Sequence, residues 1–307
     1  MPEATPTVRS TEHRPGAVVE DVTFDGPDGL PVEAYLVRPT GADHPTPGPA
    51  ILAWHWLDTE APDGDRTQFL DEAVTWAGLG ITSLLPQGRF PWHDAPSGAV
   101  ADHAAIRAEV ARLRVGLALL AADPAVDAER RALVGHDFGG MLAVVAAAEE
   151  RDPGLRGLVV VAATPRWGDW FLPFWPIADD RIDYLGALRA LDPIERIGEV
   201  APAAVLLQFG RSDFYIAPMS GLELRRAAPE GSELLAYDAD HAMRLPEIRA
   251  DRLAFLARVL GLPSGPGRAK SCVSASRSCR PRRPRCRGCR AGRSPRPARW
   301  PAGRPPP

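Results

Sequence analysis

Cysteine and lysine are absent from the first 262 residues of this 307-residue chain. All four cysteines (Cys272, Cys279, Cys286 and Cys289) and the single lysine, Lys270, lie beyond that point. The first 262 residues therefore need no disulfide and cannot form a thiolate metal site. They also lack any run of about 18 to 20 apolar residues, so the sequence predicts no transmembrane helix.

The first 16 residues lack the apolar core of a secretory signal, and they contain proline and charged residues instead. We expect a flexible N-terminus over residues 1–16 and a cytoplasmic protein.

Acidic residues are missing from residues 263–307, which contain 12 arginines, one lysine and 10 prolines. With so few aliphatic residues, this segment cannot bury enough apolar surface to offset chain entropy, so we predict a disordered Arg/Pro-rich tail. A polyanion-binding arm and a half zinc site at Cys286-x-x-Cys289 are alternatives. We favour the tail as the product of a GC-rich gene read in an unintended frame, because it is rich in Arg, Pro, Gly, Ser and Cys and because the chain has one lysine against 35 arginines. The zinc site is disfavoured because the cysteines lack regular spacing and a nearby histidine.

The charge balance differs sharply between the two parts of the chain. The whole chain carries a net charge of −3 and residues 263–307 carry +13, which leaves −16 for residues 1–262. An acidic body argues against nucleic-acid binding. We expect a small-molecule substrate, no nucleic-acid partner and no membrane partner. The oligomeric state stays open, with a homodimer as one option.

Short apolar runs alternate with amphipathic segments through residues 17–262. A hairpin is predicted from two alternating stretches around Asp28-Gly29. Buried strands are expected at 50–55, 81–85, 158–162, 204–209 and 233–237, with helices at 66–78, 101–122 and 246–260. This order predicts an α/β domain over 17–262, with one mostly parallel twisted sheet and helices on both faces. Residues 164–202, rich in Trp, Phe and Pro, interrupt the alternation and are expected to form a short lid at the carboxyl ends of the strands.

The most informative motif is Gly135-His-Asp-Phe-Gly139, which follows a buried strand and precedes an alanine-rich helix. A glycine-bracketed turn between a strand and a helix presents its central residue, Asp137, above the sheet. Two further strand ends carry Asp213, in Gly210-Arg-Ser-Asp, and His241, after Asp240. The order Asp137, Asp213, His241 is that of nucleophile, acid and histidine, so these three are the predicted catalytic residues. His136 is expected to be structural, because neighbouring side chains of a strand point in opposite directions.

On these motifs, residues 18–260 resemble the α/β-hydrolases, and more closely the dienelactone-hydrolase-like branch. The sequence departs from dienelactone hydrolases at Asp137, where they carry Cys, and from esterases of the fold, which carry Ser. At this position it resembles haloalkane and haloacetate dehalogenases and epoxide hydrolases, which use Asp. The resemblance implies the α/β-hydrolase fold and a hydrolase that needs no cofactor and no metal.

A carboxylate nucleophile is suited to displacement at saturated carbon, in which a halide leaves or an epoxide opens. The expected product is an alkyl ester on Asp137, which a water activated by His241 then hydrolyses. The predicted oxyanion hole consists of the backbone N–H of Phe138 and that of Trp56 or Leu57. Aromatic donors near the strand ends and in the insert are the candidates for substrate binding, namely Trp92, Trp167, Trp170, Tyr184 and Tyr215. Arg89 and Arg166 have two interpretations. They could bind a substrate carboxylate, or they could be surface charges with no role in binding.

Two other functions stay open at this stage. One is a dienelactone or carboxylic-ester hydrolase in which Asp137 acts as a base. The other is a non-catalytic binding protein of the same fold, in which Asp137 marks a lost nucleophile. The presence of both Asp213 and His241 argues against the second, since a site without activity needs neither.

Overall fold

The structure is a computed structural model, and it describes residues 6–41, 46–57, 66–89, 96–173, 175–177, 179–200 and 202–262. The predicted tail and Trp92 lie outside the described residues. No helix among the described residues is long and apolar enough to cross a membrane.

Nine strands of the described chain form a single sheet. They are β1 (Thr7–Arg14), β2 (Ala17–Asp25), β3 (Pro31–Pro39), β4 (Gly48–Trp54), β5 (Thr82–Pro86), β6 (Val126–His136), β7 (Leu155–Val161), β8 (Ala204–Gly210) and β9 (Glu233–Tyr237). Their spatial order is β1-β2-β3-β5-β4-β6-β7-β8-β9. The pairs from β1 to β5 are antiparallel, and those from β5 to β9 are parallel. The predicted mostly parallel sheet is confirmed.

Helices connect the parallel strands and cover the sheet. They are α1 (Leu70–Ala77), α2 (Ala99–Ala122), α3 (Phe138–Glu150), α4 (Trp167–Phe171), α5 (Arg181–Leu188), α6 (Pro193–Arg196), α7 (Pro218–Ala227) and α8 (Pro246–Val259). β4, β5 and β7 are buried along almost their whole length, which explains why their sequences are continuously apolar rather than alternating.

The N-terminal segment differs from the flexible chain expected over residues 1–16. Thr7–Arg14 forms β1, which pairs antiparallel with β2 at the edge of the sheet. Nearly every residue of β1 is exposed, and Arg9 forms a hydrogen bond with Glu33 of β3. A strand with no buried face has no apolar alternation, so the pattern that identified the other strands was missing here.

The segment 164–202 lies between β7 and β8 and is largely helical, with α4, α5, α6 and two short 3-10 turns. One buried hydrogen bond attaches the segment to α2, and a second joins two parts of the segment to each other. The Tyr184 hydroxyl donates to Asp102 of α2 over 2.6 Å, and the backbone N–H of Trp167 donates to Asp192 over 2.9 Å. These contacts fix α4 near the carboxyl end of β6.

Candidate active site

Asp137 lies at the turn between β6 and α3 in a strained backbone conformation, with φ 55° and ψ −119°. The flanking glycines make this turn sterically feasible. A Cβ on Gly135 would lie 2.2 Å from the carbonyl oxygen of Gly139, and one on Gly139 would lie 2.4 Å from the carbonyl oxygens of Trp54 and His55. Only glycine fits at both positions, and the turn presents the Asp137 side chain at the edge of the sheet.

The three predicted catalytic side chains come together at this edge. β6, β8 and β9 run parallel, so the loops after their carboxyl ends are neighbours. His241 Nδ1 lies 2.9 Å from Asp213 Oδ2, and His241 Nε2 lies 3.8 Å from Asp137 Oδ2. The imidazole is thus placed between two carboxylates, one on each ring nitrogen.

Asp213 is held by the backbone that follows it. Its Oδ1 accepts hydrogen bonds from the N–H groups of Tyr215 at 2.8 Å and Ile216 at 2.9 Å, while Oδ2 faces His241. The side chain is 1% exposed. With both oxygens engaged, Asp213 fixes the ring orientation of His241 and assigns a proton to its Nδ1.

The electrostatic environment keeps His241 charged. Burial lowers the pKa of the imidazole, but the hydrogen bonds and negative charges of Asp137 and Asp213 outweigh burial and raise the pKa from 6.5 to about 10. At neutral pH, His241 is therefore an imidazolium between two carboxylates. Loss of either negative charge would lower its pKa.

Asp137 is covered by an aromatic cluster from α3 and the insert. The indole Nε1–H of Trp170 donates to Asp137 Oδ1 over 2.8 Å, and the Asp137 side chain is only 2% exposed. The Trp170 ring packs on Phe138, with 4.1 Å between centroids, and on Trp175, with 5.1 Å. The indole N–H of Trp170 thus contacts the side chain of the predicted nucleophile directly.

In the loop after β4, the backbone N–H of Trp56 does not have the predicted role of an oxyanion donor. The backbone N–H of Trp56 donates to the side-chain oxygen of Gln68 over 2.8 Å, so it is not directed at a substrate and the prediction of Trp56 as an oxyanion donor is corrected. Its ring instead stacks on His241, with 5.6 Å between centroids. Leu57 follows in the same loop, and Phe138 is the first residue of α3, so these two stay the candidate oxyanion donors.

Two of the predicted substrate-binding residues are structural. The Trp167 indole is fully buried and donates to the carbonyl of Leu191 over 2.7 Å, and the Tyr184 hydroxyl is bound to Asp102. Their polar groups are satisfied inside the protein because the insert packs onto α2 and α3. Trp170 and Tyr215 do lie at the site, where Tyr215 meets the His241 ring edge-on at 5.1 Å between centroids.

The two arginines considered for carboxylate binding are engaged elsewhere. Arg166 forms ion pairs with Asp169 at 3.1 Å and Glu223 at 2.9 Å. Arg89 donates to the carbonyl of Pro31 over 3.1 Å. Both belong to the surface charge pattern, which was the alternative interpretation.

The sequence analysis did not predict the side chains that hold the loop after β4 in place, which are His55 and Gln68. His55 is fully buried, its Nδ1 donates to the carbonyl of Trp56 over 2.6 Å, and its Nε2 accepts from the N–H of Gly88 over 2.8 Å. Burial lowers the pKa of His55 to about 4, so the ring is neutral. Gln68 was also missed, since a glutamine after a loop carries no signal for a partner twelve residues away.

A cavity of about 150 Å³ lies beside the site, and residues 242–244, which directly follow His241, are part of its lining. Trp56, Gln68, His136 and Arg244 are part of its lining, and Asp137 is not. Within the described part of the chain, no group of three or more His, Cys, Asp or Glu side chains is arranged to hold a metal ion.

Comparisons with known proteins identify the architecture. No family model and no curated protein matches the sequence. Among solved structures, an acetyl xylan esterase from Paenibacillus sp. R4 is 19% identical, with a TM-score of 0.67, over 83% of this chain and 88% of that chain. The esterase domain of a Rhodothermus marinus protein is 17% identical, with a TM-score of 0.57, over 78% and 98% of the two chains.

A Klebsiella pneumoniae protein assigned as a dienelactone hydrolase is 19% identical, with a TM-score of 0.55, over 80% of this chain and 99% of that one. At these identities the likeness concerns the fold alone. The sheet order, the elbow at Asp137 and these neighbours agree that the chain has the α/β-hydrolase fold.

Proposed function

We propose that this protein is a cofactor-independent hydrolase that forms a covalent alkyl ester on Asp137 and acts on a small organic substrate with a carbon–halogen bond or an epoxide. The observation that carries the proposal is the position of a buried carboxylate at the tip of the elbow. It lies 3.8 Å from the Nε2 of a histidine that is itself held by a second carboxylate.

The nature of Asp137 selects the type of bond that is made. Attack of a carboxylate on an ester carbonyl would give an anhydride and expel a much poorer leaving group than the carboxylate itself. Attack on saturated carbon forms a stable alkyl ester and needs only a leaving group that departs with the bonding electrons. α3 begins directly after Asp137, so the positive end of its dipole faces the attacking carboxylate.

The second step follows from the charge of His241. Alkylation neutralises Asp137, one of the two carboxylates that raise the pKa of His241. The imidazolium can then release its proton to solvent and act as a base toward water. Attack of that water on the ester carbonyl releases the alcohol and regenerates Asp137. For a halide substrate, the balance is one water consumed and one alcohol, one halide ion and one proton released.

The donors at the site suit the departure of a leaving group. The indole N–H of Trp170 reaches Asp137 over 2.8 Å, and we propose that it also donates to a departing halide or alkoxide. Burial, and then the charges of Asp213 and Asp137, raise the pKa of Tyr215. Its hydroxyl therefore stays protonated and can donate to the alkoxide of an opened epoxide.

A second candidate is a dienelactone or carboxylic-ester hydrolase in which Asp137 acts as a base on water. The ion pair between Asp137 and His241 favours this candidate, because a water placed between a carboxylate and an imidazole 3.8 Å apart can be activated without a covalent step. The structural neighbours named as esterases are consistent with it, although their likeness extends only to the fold.

Trapping the covalent intermediate separates the two candidates. His241→Gln removes the base of the second step but leaves Asp137 able to attack. We expect incubation of this variant with haloalkanes, haloacids and epoxides to give a stable mass increase that maps to the peptide containing Asp137. The double variant Asp137→Asn/His241→Gln is the matched control and should stay unmodified.

The alternative outcome is equally defined. If no adduct forms, and the wild type hydrolyses carboxylic esters while Asp137→Asn does not, the alkyl-ester mechanism is wrong and the ester hydrolase is supported. A single turnover in water labelled with heavy oxygen provides a second readout. The alkyl-ester mechanism transfers the label to Asp137, whereas the base mechanism transfers it directly to the product.

A further inference from the structure

A chain of hydrogen bonds connects the loop that carries Leu57 to the loop that carries His241. The backbone N–H of Trp56 donates to Gln68 Oε1 over 2.8 Å. The side-chain nitrogen of Gln68 is hydrogen-bonded to His136 Nδ1. The other ring nitrogen, His136 Nε2, lies 2.9 Å from the carbonyl oxygen of His241. None of these bonds involves the side chain of Asp137, Asp213 or His241, because His241 takes part through its backbone carbonyl.

The direction of every bond in this chain follows from its two ends. A backbone N–H can only donate, so Gln68 must present its oxygen to Trp56 and its NH₂ group to His136. His136 Nδ1 must then accept, which leaves the proton on Nε2. A carbonyl oxygen can only accept, so Nε2–H donates to His241. The contacts therefore require His136 to be neutral and in a single tautomer.

The surroundings of His136 agree with that requirement. The ring is 1% exposed, and burial, followed by the positive charges of His241 and nearby arginines, lowers its pKa well below 6.5. Trp56 stacks on the rings of both histidines, with centroid distances of 5.1 Å to His136 and 5.6 Å to His241. The two loops are thus joined by the hydrogen bonds and by a cluster of three rings, since the His136 and His241 rings are also in contact, with 5.2 Å between centroids.

We infer that Gln68 and His136 are positioning residues, which together hold the backbone of His241 and the Trp56–Leu57 loop in fixed relation to each other. The inference rests on the proposed role of His241 as the base. A shift of the His241 backbone would turn its ring away from the ester on Asp137. We call the hydrogen bonds from Trp56 through Gln68 and His136 to His241 the relay. Because misplacement of about 1 Å can cost about 100-fold in rate, loss of the relay should mainly slow hydrolysis of the ester.

The cavity beside Gln68 and His136 makes substitutions feasible. Both residues line this space of about 150 Å³, so side chains of similar size can be accommodated without overpacking. Gln68→Leu and His136→Phe each remove the hydrogen bonds and keep most of the volume. Gln68→Glu keeps the acceptor for Trp56 but removes the donor to His136, so that only a doubly protonated His136 could donate both to the introduced carboxylate and to the carbonyl of His241.

The first test needs no substrate. Nitrogen-15 NMR of the imidazoles in the full-length protein should show His136 as the neutral Nε2–H tautomer through neutral pH. In Gln68→Glu, the pKa of His136 should rise so that the ring becomes doubly protonated. An Nδ1–H tautomer in the wild type, or an unchanged His136 in Gln68→Glu, would overturn the inference.

The second test uses the ester intermediate. In single-turnover measurements, Gln68→Leu and His136→Phe should each slow decay of the Asp137 ester roughly 10- to 100-fold while its formation changes little. The double variant should be no slower than either single variant, because the relay acts as a unit. Additive losses, or equal slowing of formation and decay, would contradict the relay.

The two tests separate this inference from the proposed function. If no substrate alkylates Asp137 but the NMR results are as expected, the proposed chemistry fails and the relay stands as the support of His241. If the ester forms and decays at the wild-type rate in both single variants, the proposed function stands and the relay is wrong.

Discussion

The charge of His241 makes the stability of the fold depend on pH in a defined direction. Its folded-state pKa of about 10 lies above the 6.5 of an exposed histidine, because the two carboxylates outweigh burial. Between these values the folded chain holds a proton that the unfolded chain has lost. The contribution of His241 to stability is therefore complete below pH 6.5 and is lost as pH rises toward 10.

The size of the effect follows from the same two values. Each pH unit within this window lowers the free energy of unfolding by about 1.4 kcal/mol, so the whole window corresponds to about 5 kcal/mol at most. Between about pH 7 and about pH 9, we expect His241 to account for a loss of about 3 kcal/mol. This is a large part of the stability of an ordinary domain.

Urea unfolding of the wild type and of His241→Gln, measured across this pH range, isolates the contribution. Other titrating groups are common to both proteins and cancel in the difference. We expect the wild type to lose stability faster than the variant as pH rises, and Asp213→Asn to show an intermediate slope. The relevant quantity is the free energy of unfolding of the wild type minus that of His241→Gln. If it stays constant or increases as pH rises, the assignment of a charged His241 is refuted.

Two substitutions test the site more locally. Trp170→Phe removes a donor to a charged acceptor, so we expect kcat/KM to fall roughly 10- to 100-fold, whereas Trp167→Phe should lower the thermal midpoint and affect turnover much less. Equal kinetic effects of the two would count against a role for Trp170 in the reaction. Gly139→Ala should prevent stable folding or cost several kcal/mol, because its Cβ would lie 2.4 Å from two backbone oxygens. Gly186→Ala in α5 is its control and should be neutral or slightly stabilising, since that Cβ meets nothing within 4 Å; similar behaviour of the two variants would contradict the packing argument.

Most of the fold was accessible from the sequence because its signals are local. The strand predicted at 233–237 is observed with the same bounds, and the helix predicted at 101–122 begins two residues earlier, at Ala99. Buried strands of a parallel sheet are continuously apolar, and the elbow is marked by its glycine spacing in the sequence, although the contacts that require Gly139 come from Trp54 and His55. β1 was not predicted, because an exposed edge strand has neither an apolar run nor an apolar alternation.

The site was accessible only in part. The backbone N–H of Trp56 donates to Gln68, 12 positions away, and the hydroxyl of Tyr184 donates to Asp102, 82 positions away. Partners this distant depend on how the insert and the loops pack. His136 was expected to be structural, and its contact with the carbonyl of His241 spans 105 positions, which no local pattern could indicate.

By itself, the sequence determined that a carboxylate stands at the tip of the elbow and that an acid and a histidine follow it at later strand ends. These features depend on residue order and on short-range sterics, both of which are written in the chain. Only the tertiary structure decided that Trp170, and not Trp167 one helical turn earlier, reaches Asp137. That choice depends on the face α4 turns toward the sheet, which is set by long-range packing of the insert against α2 and α3.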